Sequence, residues 1–177
     1  MIFTETNLRG VYVIEIEPIS DQRGFFARTW CRKEFEKSGL GAGLVQANIS
    51  FNEKAGTLRG MHYQVAPHEE AKLVRCTAGA IHDVVIDLRR DSATYKHHLG
   101  IELTAENHRM LYIPKGFAHG FQTLRDRTEV FYQMEELYVP EAARGVRWND
   151  PAFDIAWPSA ENRIISEKDA SWPDLDA

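Results

Sequence analysis

The chain has 177 residues, 44% of them hydrophobic and 27% charged, proportions that suit one folded domain (residues 1–177) with a full core and exclude a disordered or fibrous chain. A formal net charge of −5 supplies no global basic field, so nucleic acid is not an expected partner, while a local Arg/Lys cluster can still hold a small anion. No window approaches the run of about 18 apolar residues that a membrane span requires, so no membrane partner is expected.

Taken from the start, "MIFTETNLRG" lacks a basic segment followed by an apolar stretch, and no secretory signal is expected. "VYVIEIE" (11–17) alternates as a strand does, with Tyr12, Ile14 and Ile16 opposing Val11, Val13, Glu15 and Glu17. "CRKEFEKSG" (31–39) reads as a short helix stopped by Gly39. Cys31 and Cys76 match neither a zinc pattern nor a disulfide framework, which points to a reducing, cytoplasmic setting. Strand patterns follow at "AKLVRCT" (71–77), "AIHDVVIDLR" (80–89), "GIELT" (100–104), "RMLYI" (109–113) and "TEVFYQMEEL" (128–137), punctuated by turn residues. "SEKDASW" (166–172) reads as a second short helix with Ser166 and Asp169 at capping-box spacing. So many short strands with so little helix predict an all-β sandwich or barrel, in which inward polar residues line a ligand site.

The strand "TLRGMHYQ" (57–64) carries the most unusual side chains. In strict alternation His62 and Gln64 share a face and Arg59 points the other way. A bulge at Gly60 would bring Arg59 onto the face of His62, and glycine is a favoured bulge residue. Lys72 and Arg75 fall on opposite faces of their strand, so only one of them is expected inside. Asp83 and Asp87 share a face and are expected to meet water or an arginine. Tyr132, between Val130 and Met134 on its face, reads either as a core tyrosine or as a polar group in the lumen.

"IPKGFAHGF" (113–121) contains Pro114, Gly116 and His119 in the spacing of half of the second cupin motif. Where the first cupin motif has two histidines, this chain has His62, Tyr63 and Gln64. An amide is a poor replacement for imidazole on a transition metal, so no metal is expected. Across its whole length the chain resembles the dTDP-4-dehydrorhamnose 3,5-epimerases, cupin-fold nucleotide-sugar epimerases. The resemblance rests on "RGFF" (23–26), "VQANIS" (45–50), "TLRGMHYQ", "AKLVRC" (71–76), "IPKGFAHGF", "VFYQM" (130–134), "RWNDP" (147–151) and "SEKDA" (166–170). It departs at Arg28, where the family commonly has glutamate, and at Ala47 and Ile49.

The resemblance implies a cupin-type jelly-roll barrel with a few short helices. It also implies His62 as catalytic base, Asp169 as its carboxylate partner, Tyr132 as the acid across the sugar, and Lys72 beside the keto oxygen. Arg59 and His119 are implied as active-site polar contacts, and Arg23, Gln46, Asn48 and Tyr138 as contacts of the nucleotide diphosphate. The implied substrate is a dTDP-linked 4-keto-6-deoxyhexose, whose C3 and C5 hydrogens are acidified by the carbonyl, so no cofactor is called for. A homodimer is implied, with an N-terminal strand extending the neighbour's sheet. The competing readings are an epimerase acting at C3 only, a metal-dependent cupin oxygenase using His62, His119 and Glu69, and a non-catalytic sugar-binding cupin.

Overall fold

The computed structural model describes residues 1–175. In chain order the elements are β1 (Ile2–Glu5), β2 (Tyr12–Glu15), β3 (Ile19–Asp21), β4 (Gly24–Phe26), α1 (Arg32–Lys37), β5 (Gln46–Asn52), β6 (Leu58–Gln64), β7 (Lys72–Ala78) and β8 (Ala80–Asp87). Then come β9 (His98–Thr104), β10 (Met110–Ile113), β11 (Phe117–Thr123), β12 (Thr128–Met134), β13 (Ala143–Gly145) and α2 (Glu167–Ala170). A six-stranded sheet runs β1-β2-β10-β7-β12-β5, and a five-stranded sheet runs β13-β6-β11-β8-β9. β3 and β4 form a separate hairpin. This is the jelly-roll arrangement expected for a cupin-type barrel, and every strand and helix anticipated from the pattern forms.

The core lies between the two sheets because the alternating apolar rows of both point at one another. Val74 and Cys76 of β7 and Val130 of β12 meet Ile81 and Val85 of β8, and Phe117 and Phe121 of β11. The outer face of the six-stranded sheet is covered by α1, whose Phe35 packs with Ile14, Leu73, Met110 and Tyr112. The outer face of the five-stranded sheet is covered by the C-terminal region, where Val146 and Phe153 pack on Met61, Val84, Ile86 and Ala118. Lys72 faces inward in line with Val74, whereas Arg75 points outward and lies over the Phe131 ring, 5.3 Å from its centre.

The bulge in β6 forms where the sequence suggests. His119 of β11 pairs with His62, but Phe121, two residues on, pairs with Arg59, so Gly60 and Met61 together oppose Gly120. The extra residue turns Arg59 and His62 into the same space. Glycine is required on both sides. Gly60 has φ +141, and a Cβ there would lie 2.6 Å from the Gly120 Cα. A Cβ on Gly120 would lie 2.7 Å from the Arg59 carbonyl oxygen.

Of the two strand carboxylates expected to meet water or an arginine, Asp87 meets Arg89 while Asp83 meets neither, and both are fully buried. Asp87 closes the end of β8. Its carboxylate accepts from Arg89 Nε at 2.9 Å and Nη2 at 2.7 Å, from Ser92 Oγ at 2.6 Å and from Thr94 Oγ1 at 2.7 Å. Burial alone would raise its pKa, but these donors outweigh it and pull the carboxyl down to about 2 from an ordinary 3.8. A carboxyl held lower in the folded than in the unfolded chain stabilises the fold at neutral pH, and that contribution is lost as pH falls through the folded value. Asp87→Asn is therefore expected to lower the unfolding free energy by about 2 kcal/mol near neutral pH. Urea denaturation on a descending pH series checks this: the gap to wild type should close as the pH approaches 2.

Candidate active site

The two sheets separate at one end to leave a cavity of about 540 Å³. The five-stranded sheet contributes Arg59 and His62 from β6 and His119 from β11. The six-stranded sheet contributes Lys72 from β7 and Tyr132 and Met134 from β12. Tyr138 and Trp172 also line it, from the loop after β12 and the segment after α2. Both outer walls of the cavity are thus strands held in register by ladder pairing, which fixes these side chains better than loops would.

His62 is joined to Asp169 across 107 positions of sequence by a 2.7 Å bond from Nε2 to Oδ1. Asp169 sits in the first turn of α2, where its backbone N–H donates to Ser166 Oγ at 3.1 Å. The cap is therefore real, but the Asp169 carboxylate does not complete a capping box. It turns to His62 instead, and its other oxygen accepts from the Gly60 N–H at 3.3 Å. Burial opposes ionisation of Asp169, yet its hydrogen bond with His62 and the nearby charge outweigh this and hold its pKa below the ordinary value. Committing Nε2 to a carboxylate leaves the other imidazole nitrogen as a proton acceptor. The Trp172 ring stands edge-on to the imidazole, centres 6.4 Å apart. It has room only because residue 145 is glycine: a Cβ there would lie 2.5 Å from the indole.

A second pair of the same kind lies beside the first. His119 Nε2 is 2.7 Å from Asp83 Oδ1, and both side chains are buried. The signal for Asp83 was present in the sequence, as a carboxylate in the inward row between Ile81 and Val85, but nothing there named its partner. Arg59 donates from Nε to Asn52 Oδ1 at 2.8 Å.

On the facing sheet, Lys72 Nζ is 2.9 Å from Glu70 Oε1, with both side chains almost fully buried. Glu70, Asn52 and Trp172 are site residues that sequence reasoning did not single out, and Asp83 was placed on a strand face without its partner. Tyr132 is half-buried, and burial raises its pKa against the opposing charge of Arg59, so the phenol keeps its proton. Its apolar neighbours Val130 and Met134 supply that setting, as their alternation suggested.

The expected nucleotide contacts divide. Tyr138 lines the cavity. Gln46 and Asn48 lie on β5, beside β12, and bond to each other, Gln46 Nε2 to Asn48 Oδ1 at 3.2 Å. The Tyr138 N–H donates to Gln46 Oε1 at 3.1 Å, tying that strand to the mouth. Arg23 does not line this cavity: it is exposed in the turn of the β3–β4 hairpin, paired with Asp21. Arg28, a departure from the resemblance, donates to Glu34 at 2.9 Å, and Ile49, another, lines the cavity from β5. Gln64 is spent on backbone, accepting from the Val139 N–H at 2.6 Å and donating to the His68 and Leu137 carbonyls. Among the described residues no group of three or more His, Cys, Asp or Glu side chains is placed to hold a metal ion.

The cavity of this cupin barrel thus sets groups able to give and take protons on two facing walls: the imidazole of His62, backed by Asp169 of α2, on one, and Lys72 and the Tyr132 phenol on the other. The family model described as dTDP-4-dehydrorhamnose 3,5-epimerase matches residues 5–177. A protein of that name from Sinorhizobium fredii is 42% identical over 175 residues, covering 99% of this chain and 90% of its own. The crystal structure of the Bacillus anthracis enzyme with TDP and PPi bound superposes with a TM-score of 0.94 at 42% identity, covering 98% of this chain and 99% of that one. The Legionella pneumophila enzyme in complex with dTDP-4-keto-L-rhamnose gives 0.93 at 36% identity, covering 99% and 93%. The chain belongs to the dTDP-4-dehydrorhamnose 3,5-epimerase family.

His62→Ala is expected to cost roughly 10²–10⁴-fold in epimerase turnover, the usual contribution of a positioned general base. Asp169→Asn should lose a smaller part of the same factor, because the imidazole stays but its orienting anion is gone. Steady-state kinetics on both variants, with thermal melts to establish folding, check this; near-wild-type turnover of a folded His62→Ala protein would remove His62 from the reaction.

Proposed function

We propose that this protein inverts C3 and C5 of a dTDP-linked 4-keto-6-deoxyhexose, as in dTDP-L-rhamnose biosynthesis, without a cofactor. The observation that carries this reading is that the imidazole–carboxylate pair and the phenol stand on opposite sheets across one cavity. Inverting a carbon requires a proton to leave one face of the sugar and another to arrive at the opposite face. A single side chain fixed to one strand cannot serve both faces.

The chemistry follows from the groups present. The ring carbons next to the keto group are weakly acidic because the charge left by deprotonation spreads onto the carbonyl oxygen. His62 removes the proton through the nitrogen not bonded to Asp169, and the Asp169 carboxylate stabilises the imidazolium that forms. The Lys72 ammonium, shielded from water on the facing wall, stabilises the enolate oxygen. Tyr132, kept neutral by burial, delivers the new proton from the other side. Arg59 and His119 hold the sugar end, while Gln46, Asn48 and Tyr138 meet the nucleotide. The relative from Legionella pneumophila, whose structure holds dTDP-4-keto-L-rhamnose, supports this assignment.

Arg23 fits the diphosphate role only if it reaches a second molecule, since it stands apart from its own chain's cavity. The hairpin that bears it exposes Ile19 at 72% and Phe26 at 70%, apolar surface suited to burial against a partner. We therefore read the functional unit as a cytoplasmic homodimer in which each hairpin serves the other subunit's site. β1 pairs with β2 of its own chain and still presents its outer edge, which is open to sheet extension.

Isotope exchange and the kinetics of variants test these statements. Incubation with dTDP-4-keto-6-deoxyglucose in D2O should place deuterium at both C3 and C5, and the activity should survive exhaustive chelation. Deuterium confined to C3 would instead identify a C3 epimerase. Under the same conditions Tyr132→Phe should still wash deuterium into substrate, because His62 and Lys72 remain, but form inverted product far more slowly; inversion at the wild-type rate would assign the proton to another donor. Separately, Arg23→Ala should raise KM more than it lowers kcat, since a diphosphate is remote from the reacting carbons. Mixing Arg23→Ala with His62→Ala protein should restore low-KM activity if the arginine acts in trans, and no restoration would place it in cis.

A further inference from the structure

The buried Glu70 carboxylate has no part in the proton transfers above, yet it lies against the group that stabilises the enolate. Glu70 and Lys72 are two residues apart in extended chain, so their side chains point to the same side, into the cavity, while Ala71 between them packs in the outer core. Glu70 Oε1 is 2.9 Å from Lys72 Nζ, and the two side chains are 4% and 10% exposed. Glu70 Oε2 is buried with no hydrogen-bond partner among the described residues.

A buried ion pair of this kind is a poor device for stability, because the cost of removing two charges from water matches or exceeds their attraction. An acceptor with one oxygen left unsatisfied makes the stability account worse still. Geometry gives a better account. A lysine carries its charge on four rotatable carbons and reaches many points with similar energy. Of its three N–H donors, one is claimed by Glu70, which fixes the nitrogen and directs the others into the cavity. Electrostatic stabilisation depends on donors being in place before charge develops. His62 is aimed by Asp169 and His119 by Asp83, and Glu70 gives Lys72 the same kind of anchor.

We propose that Glu70 is a positioning residue that aims the Lys72 ammonium at the keto oxygen of the substrate. The inference rests on the reading of the reaction given above. Its signature is a loss in kcat without a loss in binding, because an aimed ammonium matters most once charge develops on the keto oxygen.

The test compares Glu70→Ala and Glu70→Gln with wild type in steady-state kinetics and in the rate of deuterium wash-in from D2O, with melting curves to confirm folding. Glu70→Ala should lower kcat and wash-in by about ten-fold or more, part of the roughly 10²–10³-fold that one aimed donor contributes, with KM nearly unchanged. Glu70→Gln keeps an acceptor oxygen within reach of Nζ and should recover most of that loss. A folded Glu70→Ala protein with wild-type kcat would overturn the proposal. So would a loss confined to KM, which would make Glu70 a substrate-binding group. Glu70→Gln as slow as Glu70→Ala would also overturn it, by showing that charge and not aim is required. Should wild type itself fail to exchange or invert the sugar nucleotide, the reading of the reaction falls and this inference falls with it.

Discussion

One extra residue in β6 is the constraint on which the site depends. Without it Arg59 would face away from His62, and the Gly60 N–H would not be free to meet Asp169. The bulge does two things at once. It brings two polar side chains into one cavity, and it exposes a backbone donor to the carboxylate that arrives from α2. The glycines on both sides of it are there because the two backbones nearly touch. The dyad is thus held by a local distortion in the strand and by the distant end of the chain folding back over it.

The rest of the barrel serves to keep two walls apart and parallel. The apolar rows fill one end of the space between the sheets and leave the other open. In that open end His62, His119, Lys72 and Arg59 are each anchored by a neighbouring side chain. Asp169 holds His62, Asp83 holds His119, Glu70 holds Lys72, and Asn52 holds Arg59. Since a carboxylate or amide oxygen stands behind each one, few of these groups are free to swing, and a ligand entering the cavity meets donors already in place.

Much of this was legible in the chain, for reasons that differ from residue to residue. Alternation revealed the strands and put Lys72, Val130, Tyr132 and Met134 on their faces, because a strand's period of two is strict. The bulge was readable from Gly60 between two polar residues. The capping residue Ser166 was readable too, yet the same pattern suggested an ordinary helix-start role for Asp169, and only the resemblance to a family paired it with His62. Pairings between neighbouring strands were not legible. Asp83 looked like a residue facing water or an arginine, since a sequence does not say which strand will lie alongside. Asp87 did meet an arginine, but fully buried and with two hydroxyls besides. Glu70 was hidden because it precedes its strand, where alternation has not yet begun to carry information.

Trp172 gives the dyad an optical neighbour. The protein has four tryptophans, and this is the one that lines the cavity, edge-on to His62 and with the Lys168 ammonium 5.6 Å from its ring centre. Indole emission responds to the polarity around the ring and to water being displaced from it. This one side chain is therefore a label that the chain carries in its own cavity wall, in contact with the dyad and with no added dye.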